Sequence, residues 1–264
     1  MVLDVGANVG THALAFAEMV GPGGQVIAVE GQPAAFTLLA HNIVANGLAD
    51  VIVALPVLAG AGERSVRFRT APVGDNVGAK TFVPEMRGSP PPPGKGLDIP
   101  LSVATLDGLG LEACALIKID VEGMELDVLR GGTTLLRTLQ PVIYFEHVSG
   151  NTESMTAIFD LLCGTGYRLY WHVANPFNNE NFKGYTVNIF GGNLETNILA
   201  LHGDRVAPSG LPEILDPARL PPIPSLADGL PGVAVYAGSA GTAPTTVRSQ
   251  GLQGRLLKLL PFRR

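Results

Sequence analysis

Residues 2–30, VLDVGANVGTHALAFAEMVGPGGQVIAVE, decide the fold. Val2-Leu3-Asp4-Val5 is a short apolar strand that runs straight into Gly6-Ala7-Asn8-Val9-Gly10. Thr11 to Val20, rich in Ala, Leu and Phe, reads as a helix, and Gly21-Pro22-Gly23-Gly24 ends it. Gln25 to Val29 is a second buried strand, closed by Glu30. Strand, glycine turn, helix and strand in that order predict a βαβ unit and a parallel sheet.

The glycines permit backbone angles closed to other residues and let a ligand approach the main chain. Two ligand classes use such a turn. A dinucleotide site wants G-x-G-x-x-G, with the helix N-terminus facing a pyrophosphate. Asn8 and Thr11 stand where two of those three glycines belong, so the pattern fails. S-adenosylmethionine carries no phosphate. It needs room for a methionine tail and an acceptor near its ammonium, which Asp4 at the strand tip suits. Glu30, about 20 residues past the turn, suits the two ribose hydroxyls. Asp4, Gly6, Ala7, Asn8, Gly10 and Glu30 are therefore the cofactor-binding candidates. Either acid alone reads equally well as an ordinary turn residue or a solvated charge; the ordered set favours a nucleoside.

Outward from this unit the alternation continues. Pro33 to Asn46 is a second helix with Gly47 as its C-terminal cap. Val51 to Leu55 is a third strand, and Arg64 to Arg69 fits an edge strand. Residues 87–96, RGSPPPPGKG, predict an exposed loop. Ala115 to Asp120 is a buried strand. A helix from about Gly123 to Thr138 places Leu126, Leu129 and Leu136 along one side, and Pro141 precedes a strand over Val142 to Phe145. A helix near Ser154 to Cys163 follows, with Tyr167–Val173 and Asn197–His202 as final strands. From Asp204 the chain carries nine prolines in 61 residues and no long periodic segment. Residues 1–203 thus form the predicted domain, and 204–264 a tail that is loosely packed or mobile.

Composition bounds the function. At 264 residues, 46% hydrophobic and 16% charged, the chain suits one α/β domain of ordinary size. A net charge of −5 provides no basic excess for nucleic acid. Cys114 and Cys163 match neither a metal spacing nor a disulfide framework, which predicts a reducing compartment. No apolar run approaches the roughly 18 residues of a membrane span, and the N-terminus has no signal-peptide pattern. A cytoplasmic protein is expected. The terminal RLLKLLPFRR is basic and apolar, so peripheral membrane contact or docking on a partner stands beside plain packing or disorder.

Four stretches, VLDVGANVGTHALAFA, GPGGQVIAVEGQPAAFTLLAHNIVANG, LIKIDVEGMELDVLRGG and PVIYFEH, resemble the FkbM family of methyltransferases. NPFNNENFKGYTVNIFGGNLETNILAL is a weaker match. The resemblance covers most of Val2 to Leu201, and its most specific part is KIDVEGxE. It implies a class I methyltransferase (Rossmann-like) fold, a three-layer α/β sandwich on a seven-stranded, mostly parallel sheet with one antiparallel strand. It also implies S-adenosylmethionine as cofactor and O-methylation of a hydroxyl on a sugar, glycan or polyketide-type natural product. Family members usually carry helices before the first strand, whereas this sequence opens on it, and the segment after Asp204 has no counterpart.

Methyl transfer to an alcohol needs an aligned oxygen, exclusion of water and a group to take the proton. In open α/β sheets such groups lie beyond the carboxyl ends of the strands. Asp120 and Glu122 after one strand, and Glu146 and His147 after the next, are the catalytic candidates; Asp120 also sits where it can serve the cofactor. Helix capping is the alternative role for Asp120 and Glu122. Clustered acids could hold a divalent cation, but no metal is assigned. Lys118 inside its strand is expected to pair with a neighbouring acid. His12, Trp171 and His172 read as packing residues, and Asn178 to Phe182 as a polar loop. The competing functions are an NAD-linked oxidoreductase and a non-catalytic nucleoside-binding protein.

Overall fold

The computed structural model describes residues 1–69, 98–147, 152–177, 184, 186–188 and 194–219. The predicted loop at 87–96, the NNENF segment at 178–182 and the tail from 220 lie outside them. The chain divides into two compact units, whose described parts lie within residues 1–141 and 142–219. Among the described residues the main sheet has seven strands, in the order β3 (Ile52–Leu55), β2 (Val26–Val29), β1 (Val2–Val5), β7 (Leu116–Ile119), β8 (Val142–Glu146), β10 (Glu195–His202) and β9 (Tyr167–Ala174).

In the first unit, β1 (Val2–Val5), β2 (Val26–Val29), β3 (Ile52–Leu55) and β7 (Leu116–Ile119) are joined in parallel. All residues of β1 and β2 are buried, which is why they read as continuous apolar runs rather than alternating ones. Helix α1 (Thr11–Val20) follows β1, and its Ala13 and Ala17 pack in a cluster with Val2, Val26 and Ala28. Helix α2 (Pro33–Ala45) follows β2, with Pro33 in its first turn and Leu39 and Ile43 in the same cluster. Each of these large side chains contributes roughly 1.5–3 kcal/mol by burial. Gly47 ends α2 at φ +67°, as its position in the sequence predicted.

A second sheet was not foreseen. The two-residue β4 (Leu58–Ala59), β5 (Arg64–Arg69) and β6 (Asp98–Ala104) form it, in the order β4-β6-β5. β5 lies at its edge, as expected. Pro100 sits inside β6, a residue that removes a ladder hydrogen bond. It is tolerated because β4 reaches only Val103 and Ala104, so among the described residues β6 has a neighbour at Pro100 on the β5 side alone.

The helix predicted over Gly123 to Thr138 is two helices, α3 (Glu125–Arg130) and α4 (Thr133–Thr138). Close packing splits them. A Cβ on Gly131 would lie 2.1 Å from the Gly60 carbonyl oxygen, and one on Gly132 would lie 3.0 Å from Leu106. The Gly131 carbonyl accepts the Asp107 N–H at 2.9 Å. In return Asp107 caps α4, its two oxygens accepting the N–H groups of Thr134 at 3.1 Å and Leu135 at 2.8 Å. The helix's own N-cap, Gly132, has no side chain to do so.

In the second unit, β10 (Glu195–His202) runs antiparallel to both β8 (Val142–Glu146) and β9 (Tyr167–Ala174). β10 is thus the antiparallel strand that the resemblance implies. Helix α5 (Thr152–Cys163) buries Met155, Ile158 and Leu162. Residues 212–214 run along the outer edge of β9, where Pro212 accepts the Trp171 N–H and Ile214 donates to Leu169. Ile214 is buried there, so the start of the proline-rich segment covers a sheet edge. Among the described residues no helix is long and apolar enough to cross a membrane.

Candidate active site

The carboxyl ends of β1, β2 and β7 meet in the first unit and bring together eight of the predicted residues: Asp4, Gly6, Ala7, Asn8, Gly10, Glu30, Asp120 and Glu122. Gly6 and Ala7 both donate to the Val29 carbonyl, at 2.9 and 3.0 Å, so the turn is laid across the tip of β2. Asn8 adopts φ +51°, a left-handed angle that asparagine tolerates better than most residues. Its N–H donates to Glu30 Oε2 at 2.8 Å, and the Gln32 N–H donates to Oε1 at 2.7 Å. Asn42 Nδ2 on α2 holds the Val9 carbonyl at 2.8 Å. Gly10, at φ +96°, opens α1 without a side-chain cap. These bonds fix the turn before any ligand arrives.

Gly6 is a glycine for a steric reason as well. At φ +77°, a Cβ there would lie 1.8 Å from the Asp120 carbonyl oxygen. The end of β7 is therefore pressed directly against the turn after β1.

Below the turn sits a chain of charges. Asp4 is fully buried, and Lys118 is buried beside it in register on β7. The Lys118 Nζ lies 3.5 Å from Asp4 Oδ1 and 3.2 Å from Asp120 Oδ2, the pairing anticipated for this lysine. Neither Asp4 oxygen has a hydrogen-bond partner among the described residues. Burial raises the Asp4 pKa, against the opposing pull of Lys118 and of His12. Burial also raises Glu30, partly offset by the N–H groups of Gln32 and Asn8. Asp120 keeps a side chain 39% exposed at the mouth.

After β7 the chain makes a tight turn, with Glu122 at φ +52° and Gly123 at φ +95°. Burial, and then the charge of Asp120, raise the Glu122 pKa. Glu125 was not singled out from the sequence. It is 4% exposed and accepts the Gly123 N–H at 3.1 Å. Its signal was present as the last residue of KIDVEGxE.

In the second unit, Glu146 ends β8, opposite Asn197 of β10. The His147 N–H donates to the Thr196 carbonyl at 2.8 Å, and its ring stands edge-on to Trp171 at 5.2 Å. Burial lowers the His147 pKa and favours the neutral imidazole. His172 is more than a packing residue: its Nδ1 shares a 2.7 Å hydrogen bond with the Tyr144 hydroxyl. Trp171 is buried, as expected of a core residue. Among the described residues no group of three or more His, Cys, Asp or Glu could hold a metal ion.

Residues 4–169 match the model of the methyltransferase FkbM domain. The chain belongs to the FkbM methyltransferase family. The match spans the Asp4 turn, Glu30, the Asp120–Glu125 segment and Glu146–His147. No curated protein matches the chain. Among solved structures, an FkbM methyltransferase from Methylobacillus flagellatus KT shares 16% identity over 75% of this chain and 42% of its own, with a TM-score of 0.46. The FkbM chain described here thus spans less than half of that relative. A precorrin-6y C5,15-methyltransferase from Geobacter metallireducens GS-15 shares 16% identity over 76% and 78% of the two chains, with a TM-score of 0.47. A SAM-dependent O-methyltransferase from Thermotoga maritima shares 12% over 78% and 60%, with a TM-score of 0.40.

Proposed function

We propose that this FkbM domain is an S-adenosylmethionine-dependent O-methyltransferase acting on a hydroxyl of a sugar, glycan or natural product. The observation that carries the reading is the Asn8–Glu30 bond at 2.8 Å, which ties the tip of β1 to the tip of β2. A nucleoside spans such a pair of tips in open α/β sheets. Each Glu30 oxygen accepts one N–H, so each retains a lone pair for a ribose hydroxyl. The residues also fit the other end of the cofactor. The buried Asp4 carboxylate under the turn, an acceptor shared with Lys118, favours a cationic donor, and Gly6, Ala7, Asn8 and Gly10 supply the backbone surface. Bound there, the sulfonium would provide an electrophilic methyl group.

The chain's own groups then have separate tasks. Lys118 holds Asp120 at the mouth and matches the charge of Asp4. Asp120, or Glu122 with its raised pKa, takes the proton from the acceptor hydroxyl as the new bond forms. Glu146 and the neutral His147 are the second pair suited to binding the acceptor or taking that proton. A glycan or small hydroxyl acceptor agrees with the net charge of −5, which gives nucleic-acid phosphates little to bind. We place the protein in the cytoplasm and its catalytic domain within residues 1–203.

The test is incubation with S-adenosylmethionine labelled on its methyl group and an extract of the producing cell. Label recovered as an acid-stable methyl ether on a carbohydrate or small molecule supports the reading. Label recovered only on nitrogen, carbon or RNA contradicts it.

A further inference from the structure

We propose that Glu125 is a positioning residue: its buried carboxylate holds the Gly123 N–H of the turn after β7 and so keeps Asp120 and Glu122 aimed at the acceptor. This rests on the functional reading of those two acids.

A carboxylate that is 4% exposed requires compensating hydrogen bonds. Glu125 draws one from the Gly123 N–H, at 3.1 Å to Oε1. That donor lies before it in the chain, two residues back. A residue serving only to cap α3 would accept from the helix ahead of it. Here the N-cap, Met124, makes no side-chain bond, and Glu125 reaches backward into the turn.

The turn needs such a clamp. Glu122 and Gly123 are left-handed in succession, at φ +52° and +95°. For glutamate that angle is strained and persists only where the surroundings impose it. Successive N–H groups in such a turn converge on a concavity that favours an anion. Glu125 fills that concavity from within the chain. Space does not impose the conformation, because a Cβ on Gly123 would meet nothing within 4 Å. The other end of the turn is fixed by the Asp120 carbonyl against Gly6, so the Glu125 carboxylate is the second anchor.

The experiment compares E125Q, E125D and E125A with the wild-type full chain by amide hydrogen exchange, S-adenosylhomocysteine calorimetry, thermal melting and labelled-methyl transfer to cell extract. E125Q preserves size but offers one acceptor oxygen and an amide that repels N–H donors. Exchange at Gly123 should accelerate about tenfold or more in E125Q. Transfer at saturating S-adenosylmethionine should fall about tenfold further than S-adenosylhomocysteine affinity does, with E125D partly restored. E125Q that melts earlier yet transfers as fast as wild type would overturn the proposal, since that is a helix-stability role alone. If the wild type binds no S-adenosylhomocysteine, the functional reading fails separately. Unchanged exchange at Gly123 in E125Q would still refute the clamp.

Discussion

The Asn8 N–H donates to Glu30 Oε2 at 2.8 Å, across 22 residues of sequence, and this single bond joins the two strand tips on which a nucleoside would lie. Removing the carboxylate frees two N–H groups, those of Asn8 and Gln32, and loosens the turn. Glu30→Ala should weaken S-adenosylhomocysteine binding by about 10- to 100-fold, the equivalent of one or two charge-assisted hydrogen bonds. Calorimetry reads this directly. A change of less than about twofold would show that the carboxylate does not grip the ligand.

Lys118 stands between two acids, and removing it leaves Asp4 buried without a counter-charge. Lys118→Met should destabilise the domain by about 3–5 kcal/mol, as breaking a buried ion pair does. Asp4→Asn in the same chain should recover much of that loss, since the stranded charge is gone. Denaturant unfolding measures both. Equal destabilisation in the single and double variants would show that Lys118 acts by packing alone.

The pH dependence has a definite sign. Burial raises the Asp4 pKa above its ordinary value of 3.8, so folding favours the protonated acid. Asp4 therefore contributes most stability below pH 3.8, and that contribution is lost as pH rises through the folded pKa. Asp4→Asn does not titrate. The variant should gain on the wild type as pH rises from about 4 to 7, seen as a widening difference in Tm in its favour. A gap that narrows over this range would mean that Lys118 outweighs desolvation.

Asp107→Ala removes the side-chain acceptor of the Thr134 and Leu135 N–H groups at the start of α4. The expected loss is about 1 kcal/mol, the usual value of an N-terminal cap, with cofactor affinity unchanged. Chemical denaturation with calorimetry checks both halves. A loss below about 0.3 kcal/mol would show the cap to be dispensable.

Much of the fold is legible in residues 2–47 because each local signal there agrees with the tertiary one. Apolar strands, a glycine turn and a glycine cap lie where the parallel sheet requires them. The second sheet was hidden because β4 has two residues and β6 carries Pro100, both poor strand signals taken alone. The split between α3 and α4 was hidden because Gly131-Gly132 fits a weak helix as well as a break. Only the approach of the Gly60 carbonyl and Leu106 decides between them. In the site, Asp4, Glu30 and Asp120 were marked by their strand-end positions. Glu125 was not, since its role depends on the left-handed turn before it. The Tyr144–His172 pair joins residues 28 apart on β8 and β9, a distance no local pattern spans.

The most direct test titrates the wild-type chain with S-adenosylhomocysteine and, separately, with NAD. The account predicts saturable one-site heat with S-adenosylhomocysteine, none with NAD, and weakened heat with Glu30→Ala. Heat with NAD alone, or none with either ligand, would contradict it.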